Sequence, residues 1–272
     1  MKFILSALFA CFVFTSNAQH SLEKIWETDT VVKVPESVLP DFKKGILYVS
    51  LIDGAPFDMD GKGGVGILSI DGKNLNQKWI TGLNAPKGLG RFGNTLYVAD
   101  LTEVVVIDIA KGKIEKKIKV DSAIGLNDIT VTDRGVVFVS DSRLGKVHKI
   151  ENGVATTYLN NTPAANGLKA IGKDLYILSG KSFIKADAQK NITKVADLEQ
   201  AGDGLEPIGN GDFIATSWIG YVYYVHANGK VETLMDTHLQ NKNTADIGYD
   251  PAKRIVYLPT FNGKQIVAYR LK

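Results

Sequence analysis

The protein has 272 residues, of which 44% are hydrophobic and 22% are charged. This composition predicts a globular chain with enough apolar residues for one large domain or two small ones. The formal net charge of +3 is close to balance, which argues against a nucleic-acid partner.

The first eighteen residues predict a secretory signal peptide. Lys2 precedes the apolar run FILSALFACFVF, and the small residues Ser16 and Ala18 precede an expected cleavage site before Gln19. That run is short for a bilayer span, and no later segment approaches the roughly 20 apolar residues of a membrane helix. We therefore expect a leader over 1–18 and an exported mature chain over 19–272, either periplasmic or secreted.

The single cysteine, Cys11, lies within this leader. The mature chain would then contain no disulfide and no cysteine-ligated metal. A lipid anchor on Cys11 is the alternative interpretation of LFAC.

Six short apolar strands recur along the mature chain, each built around one aromatic residue. Their central aromatics are Tyr48, Tyr97, Phe138, Tyr176, Phe213 and Tyr257. The repeat length of roughly 40 residues, with glycine turns and almost no helical periodicity, is that of a four-stranded propeller blade. The sequence therefore predicts an all-β, six-bladed β-propeller with antiparallel blades that forms one domain.

The ends of the chain indicate how the ring closes. The last unit supplies three strands, whereas LEKIWETD near the mature N-terminus is a strand without a partner. We expect this N-terminal strand to complete the last blade. A stacked β-sandwich is the structural alternative, but it gives no reason for six equivalent units.

Polar residues open the innermost strand of every predicted blade, about ten to twelve residues before each aromatic. They are Glu36, Lys87, Asn127, Asn166, Asp203 and Asp246. Equivalent positions of a propeller point toward the central axis at one end, so these side chains are expected to form a ring. For any one position, a turn-capping Asx residue is the plainer interpretation.

Three carboxylates in one ring would repel each other unless a cation lay among them. Carboxylate and amide oxygens favour Ca²⁺ over zinc or copper, and Mg²⁺ is disfavoured because it prefers a smaller, water-rich octahedral site. The segment DMDGKGG from Asp58 lacks the final Glu of an EF-hand loop and predicts only a polar loop. Among the histidines, only His238 is a candidate proton shuttle.

The ring motifs resemble the gluconolactonase and senescence marker protein (regucalcin) family of six-bladed propellers, and more distantly the paraoxonases and diisopropylfluorophosphatase. The resemblance covers about residues 30–272 and is carried by PESV, LND, ANGL and GDGL. It implies that Glu36, Asn166 and Asp203 bind a divalent metal and that Asn127 contacts metal or substrate. It also implies that Asp203 is the general base or the nucleophile.

The chain departs from this family at several positions. The first-blade motif reads ESV instead of acid-glycine-proline, and Lys87 and Asp246 match no family-wide role. We expect both residues to contact substrate together with Asn127. The cavity wall is expected to come from loops after the aromatic strands, which carry Asp53, Asp100, Asp141, Ser179, Trp218 and Phe261. Trp218 could equally pack between blades.

The favoured function is therefore an exported, calcium-dependent hydrolase of a lactone or related ester, acting as a monomer on a small molecule. A non-catalytic propeller that binds a sugar or protein around a structural calcium is one alternative. Metal-independent lyase or condensation chemistry is another, which the intact acid and amide ring argues against.

Overall fold

The computed structural model describes residues 19–272, which form six four-stranded antiparallel sheets around a central axis. The prediction of a six-bladed β-propeller is confirmed. The predicted leader over 1–18, including Cys11, lies outside the described residues. Within the described part of the chain, no helix is long and apolar enough to cross a membrane.

Each of blades 1 to 5 is a meander of four consecutive strands. Blade 1 contains β2 (Pro35–Asp41), β3 (Ile46–Leu51), β4 (Gly63–Ser69) and β5 (Leu75–Leu83). Blade 2 contains β6 (Pro86–Phe92), β7 (Thr95–Asp100), β8 (Glu103–Asp108) and β9 (Lys113–Lys119). Blade 3 contains β10 (Leu126–Val131), β11 (Val137–Asp141), β12 (Lys146–Glu151) and β13 (Val154–Leu159).

The second half of the ring repeats this pattern. Blade 4 contains β14 (Ala165–Ile171), β15 (Asp174–Ser179), β16 (Ser182–Ala186) and β17 (Ile192–Asp197). Blade 5 contains β18 (Leu205–Gly209), β19 (Asp212–Ser217), β20 (Tyr221–Val225) and β21 (Val231–Asp236). Blade 6 contains β22 (Gly248–Asp250), β23 (Ile255–Pro259), β24 (Ile266–Leu271) and β1 (Leu22–Glu27).

The ring closes through β1, the outermost strand of blade 6. It pairs antiparallel with β24, so that Leu22 lies opposite Leu271. The predicted closure by LEKIWETD is confirmed. Because β1 comes from the N-terminal end and β22 to β24 from the C-terminal end, this pairing joins the two ends of the fold.

The core lies between neighbouring blades, where the apolar faces of adjacent sheets pack together. The middle strands β11 and β20 are buried on both faces, whereas the outermost strand β17 is mostly exposed and buries only Ala196. Tyr48, Tyr223 and Tyr257 are among the largest fully buried side chains. Of the six recurring aromatics, Tyr48, Phe138, Phe213 and Tyr257 are buried, whereas Tyr97 and Tyr176 are partly buried against the same kind of apolar cluster.

Two short 3-10 turns interrupt the strand pattern among the described residues. They are His238–Gln240 and Phe261–Gly263. The second places Phe261 at the end of the axis where β22 begins.

Candidate functional site

A pocket of about 300 Å³ opens at the end of the axis where the inner strands begin. We call it the mouth pocket. Its lining residues are Glu36, Pro56, Phe57, Lys87, Asn127, Asn166, Asp203, Trp218 and Phe261. Five of the six predicted ring residues thus meet in one cavity, although they come from five different blades.

β-bulges explain how these side chains reach the axis. The strand register shifts just after the first residue of β2, β6, β10 and β14, so that each shift includes one ring residue and its successor. A bulge re-aims side chains that regular pleating would send to the sheet faces. Glu36, Lys87, Asn127 and Asn166 all occupy these bulges.

Glycine follows the ring residue where the next inner strand approaches most closely. A Cβ atom on Gly88 would lie 2.5 Å from Cα of Asp128, and one on Gly167 would collide with the backbone oxygen of Asp203. The pairs Lys87-Gly88 and Asn166-Gly167 therefore permit the tight convergence of inner strands around the axis.

Hydroxyl side chains from the second strands fix the backbone beneath the ring. Ser50 Oγ accepts a hydrogen bond from the Ser37 amide at 2.8 Å, and Ser140 Oγ accepts one from the Asp128 amide at 2.9 Å. In blade 5, Thr216 Oγ1 accepts the Gly204 amide at 2.7 Å. The first two bonds satisfy amide groups that the bulges of β2 and β10 remove from the sheet ladder, and the third satisfies the Gly204 amide just before β18.

The amide side chains of the ring are held by neighbours. Asn166 Nδ2 donates to Asp203 Oδ1 at 2.7 Å, and Asn127 Nδ2 donates to Ser142 Oγ at 3.0 Å. Because the nitrogen end of each amide is occupied in this way, the oxygen end is the polar atom left to meet a ligand.

Two buried acceptor atoms of the mouth pocket have no hydrogen-bond partner among residues 19–272. They are Glu36 Oε2 and Asn166 Oδ1. An unsatisfied buried oxygen costs roughly 1–3 kcal/mol, and more when it is charged. A hard divalent cation would satisfy both atoms, so the oxygen set of Glu36, Asn166 and Asp203 fits Ca²⁺.

Burial dominates the electrostatics of this site. Glu36 and Asp203 are 4% and 3% exposed, respectively. Burial, reinforced by the nearby carboxylates of Asp203 and Asp246, raises the pKa of Glu36 well above its usual range despite attraction to Lys87. Burial also raises the pKa of Asp203 to about 7, against the opposing effects of Asn166 and Lys87.

Lys87 brings one positive charge into the same cavity. It is 4% exposed, and burial lowers its pKa although Glu36 and Asp203 favour the charged form. Its Nζ lies 5.1 Å from the centroid of the Phe57 ring. Lys87 is therefore an internal cation that compensates part of the carboxylate charge.

Aromatic side chains form the outer rim of the mouth pocket. Trp218 packs edge-on against Phe261 with 5.4 Å between ring centroids, and it remains 41% exposed. Across the pocket, the guanidinium of Arg143 lies 3.8 Å above the Phe57 ring. Trp218 thus lines the mouth pocket and also packs against Phe261 of blade 6. It is therefore both a wall residue and a packing residue between blades.

The sixth ring residue, Asp246, faces a different space. It lines a smaller cavity of about 160 Å³ farther along the axis, together with Asp128, Lys169 and Glu206. Ser37 Oγ donates a hydrogen bond to Asp246 Oδ2. Burial, followed by repulsion from Asp203 among the charges, raises the pKa of Asp246 to about 7. We call this cavity of about 160 Å³ the axial cavity.

Asp128 is a buried axial acid that the repeat pattern does not identify. It accepts the Leu168 amide at 2.5 Å and the Ile129 amide at 2.6 Å. Burial and repulsion from Asp246 raise its pKa well above the usual range. Lys169 pairs with Glu206 at 2.6 Å. Asp128 and Asp246 are thus two buried acids with raised pKa values below the mouth pocket.

Several residues expected in the cavity wall have other partners in the structure. Asp100 accepts the amides of Asn84 and Ala85, and Asp141 accepts those of Ile124 and Leu144. Both carboxylates therefore brace loops and do not line the mouth pocket.

Two further wall candidates also lie outside the mouth pocket. Asp53 pairs with Lys33, and Ser179 Oγ donates to the Pro163 carbonyl at 2.8 Å. His238 pairs with Asp236 and the Tyr221 hydroxyl and is not among the residues that line the mouth pocket, so its predicted place in the site is wrong.

Pro56 and Phe57 were not predicted as site residues. They lie in the loop between β3 and β4, directly before the segment DMDGKGG from Asp58. The first five residues of that segment lie in this loop, as predicted, and its last two glycines begin β4. An aromatic residue directly before this polar, glycine-containing segment is the sequence signal that could have identified Phe57.

No protein-family model and no curated protein matches this chain. Many solved structures share its fold, and three of them are compared with it. A streptogramin B lyase is 11% identical with a TM-score of 0.65, covering 93% of this chain and 98% of the other. A catalytically inactive histidine-to-alanine variant of virginiamycin B lyase from Staphylococcus aureus, crystallised with quinupristin, is 15% identical with a TM-score of 0.66, covering 93% and 100%.

The third is a nidogen/laminin complex. It is 16% identical with a TM-score of 0.63, covering 75% of this chain and 80% of the other. The TM-scores of these three structures support the propeller fold. Their sequence identities of 11% to 16% assign neither an activity nor the gluconolactonase family.

Proposed function

We propose that the protein is a calcium-dependent hydrolase of a lactone or related ester that carries an apolar or aromatic group. The observation that carries the proposal is the mouth pocket itself. It combines a buried acid and amide ring, with unpartnered oxygens on Glu36 and Asn166, and an aromatic rim. The oxygen set supports the metal, and the rim supports the substrate class.

In this proposal Glu36, Asn166 and Asp203 hold Ca²⁺, with Asn127 beside them. When bound, the ion supplies Lewis-acid polarisation of the ester carbonyl. Phe57, Trp218 and Phe261 would bind the apolar part of the substrate and exclude water around the reacting bond.

The remaining chemistry is proton transfer and charge stabilisation by the chain. Asp203 would accept a proton from the attacking water, whose oxygen bonds to the carbonyl carbon. As the ester C–O bond breaks, Asp203 would return that proton to the departing alkoxide oxygen. One Asp203 oxygen is held by Asn166 Nδ2, which fixes the direction of the carboxylate. Lys87 would stabilise negative charge developing on the substrate oxygens.

Lyase chemistry is less well supported by the lining residues. The virginiamycin B lyase variant is inactive after loss of a histidine. No histidine occurs among the described residues that line the mouth pocket of this chain. Hydrolysis with a carboxylate base therefore fits these side chains better.

A non-catalytic role is the second candidate. Lys87 already lies among the ring carboxylates, so the ring does not need a catalytic ion to balance its charge. An ion could then brace the channel while the aromatic rim binds a sugar or protein. The likeness to the nidogen/laminin complex shows only that a binding protein can share this fold.

The test is turnover of a panel of aryl, alkyl and sugar lactones before and after removal of divalent metal. We expect hydrolysis of at least one apolar lactone, loss of activity with chelator, and recovery with Ca²⁺. Absence of turnover across the panel in calcium-loaded protein, with retained ligand binding, would support the non-catalytic role instead.

A further inference from the structure

A second group of potential metal ligands lies at the outer strands of the ring, and none of its residues lines the mouth pocket. His20 precedes β1, His226 follows β20, and Glu232 lies in β21. One potential ligand atom from each residue lies within 4.8 Å of the other two. The cluster forms where the N-terminal segment of blade 6 meets the outer edge of blade 5.

Both imidazoles are directed at the same carboxylate. His226 Nε2 lies 2.8 Å from Glu232 Oε1, and His20 Nδ1 lies 3.1 Å from Glu232 Oε2. The His20 ring also stacks on Tyr224, with 3.7 Å between centroids and 13° between planes. The His20 imidazole is therefore held in place by packing as well as by hydrogen bonding.

The donor chemistry differs from that of the mouth pocket. Two imidazole nitrogens and one carboxylate oxygen are borderline ligands that suit Zn²⁺, whereas Ca²⁺ prefers oxygen alone. Three protein ligands with the fourth position left to water is a familiar zinc arrangement. The three side chains are 25%, 24% and 11% exposed, so an ion can reach them from solvent.

One neighbouring charge opposes metal binding. Lys230 Nζ lies 2.9 Å from Glu232 Oε1, the oxygen that also contacts His226. Zinc would therefore have to displace the Lys230 ammonium group from this carboxylate oxygen.

We infer that His20, His226 and Glu232 form a zinc site that fastens the closing strand of the propeller to blade 5. His20 lies 212 residues from Glu232 along the chain, whereas His226 and Glu232 are six residues apart in blade 5, so the site would join the N-terminal segment to that blade. An ion bound only by the folded chain would stabilise the ring closure by mass action. This site is independent of the proposed hydrolase activity.

The test is calorimetric titration of tag-free, calcium-saturated protein with ZnCl₂, together with thermal melting. The native protein is expected to bind one Zn²⁺ per chain and to melt at a higher temperature with zinc. His226→Gln and Glu232→Gln should each weaken binding by more than about 100-fold, because loss of an outer-shell partner alone costs about 10–100-fold. Glutamine retains hydrogen-bonding capacity, which favours folding of both variants.

Two further variants separate a metal site from a hydrogen-bonded latch. Lys230→Gln should tighten zinc binding about two- to fivefold, because it removes the competing ammonium group. His238→Gln, which alters an exposed His–Asp pair on the same blade, should leave zinc affinity unchanged. Circular dichroism of the metal-free variants provides the check on folding.

Two results would overturn the inference. Native protein that takes up no Zn²⁺ at millimolar concentration would show that the cluster is only a latch. Zinc binding that is unchanged in both His226→Gln and Glu232→Gln would place the ion elsewhere.

Discussion

Asp203 is the residue at which metal binding and catalysis can be separated. Its backbone is fixed by hydrogen bonding of the Asp203 amide to the Thr216 carbonyl at 2.7 Å, and its carboxylate by Asn166. This anchoring means that an isosteric change should alter the chemistry of the side chain without moving it.

Asp203→Asn should retain calcium, more weakly because one negative charge is lost, while turnover falls at least about 100-fold. Asparagine keeps an oxygen ligand but does not accept the proton. The measurement is steady-state hydrolysis at saturating Ca²⁺, with calcium uptake measured on the same sample.

Glu36→Gln is the matched comparison, since Glu36 is assigned to the metal alone. It should lower calcium affinity, and excess Ca²⁺ should partly restore turnover. Near-full activity of Asp203→Asn would show that Asp203 is only a ligand.

Lys87 should compete with calcium for the same carboxylates. Lys87→Met retains the buried volume but removes the charge, so we expect calcium affinity to rise at least about tenfold. The metal-free variant should melt at a lower temperature, because Glu36 and Asp203 lose their internal cation. Lys87→Arg retains the charge and should not gain affinity in the same calcium titration; equal affinities for all three proteins would refute the competition.

Individual site residues differ in how far the sequence predicts them. Glu36, Asn166 and Asp203 follow from the spacing of the strands, because equivalent positions of a propeller share one end of the axis. Asp246 has the right place in the chain but faces the axial cavity, and Asp128 was missed. A bulge presents two successive residues toward the axis, and residue spacing alone does not say which one enters which cavity.

At the scale of elements, the loops decide what the mouth pocket accepts. Phe57 comes from the β3–β4 loop, Trp218 from the turn after β19, and Phe261 from the short 3-10 turn before β24. Such loops have no fixed position relative to the repeat, so spacing predicts the ring more readily than the rim. Phe57, for example, lines the mouth pocket from a position that the spacing of the aromatic strands does not predict.

Trp218→Ala and Phe57→Ala should raise KM for an aryl or long-chain lactone about tenfold, since each removes roughly 1–2 kcal/mol of apolar contact. Their kcat should change less, because neither ring touches the carboxylate base. Phe92→Ala removes an equally exposed aromatic that does not line the mouth pocket and serves as the control. A parallel loss with sugar lactones would argue against an apolar substrate.

At the scale of the whole molecule, the propeller depends on the pairing of its two ends. Trp26 of β1 lies over Gly72 of blade 1 and packs near Tyr257 of blade 6, with 6.1 Å between ring centroids. The closing strand therefore joins blades 6 and 1. The number of blades, the blade size and this closure could all be predicted, because each one repeats or completes a pattern in the sequence.

Trp26→Ala should lower the free energy of unfolding by about 2–4 kcal/mol, because it leaves a space between two blades. Lys24→Gln on the same strand removes a surface ion pair and should change the free energy of unfolding by less than about 0.5 kcal/mol. Urea denaturation compares the two variants with the native protein. Equal stability of all three would mean that β1 does not secure the ring.

The central claim, a calcium-dependent hydrolase site in the mouth pocket, is tested most directly by one titration. Hydrolysis of an apolar lactone and calcium binding should be measured on the same metal-free protein as free Ca²⁺ is raised. We predict one functional Ca²⁺ per chain, with activity and occupancy of the mouth pocket rising at the same concentration. Undiminished turnover without divalent metal, or no calcium uptake by Glu36, Asn166 and Asp203, would contradict the account.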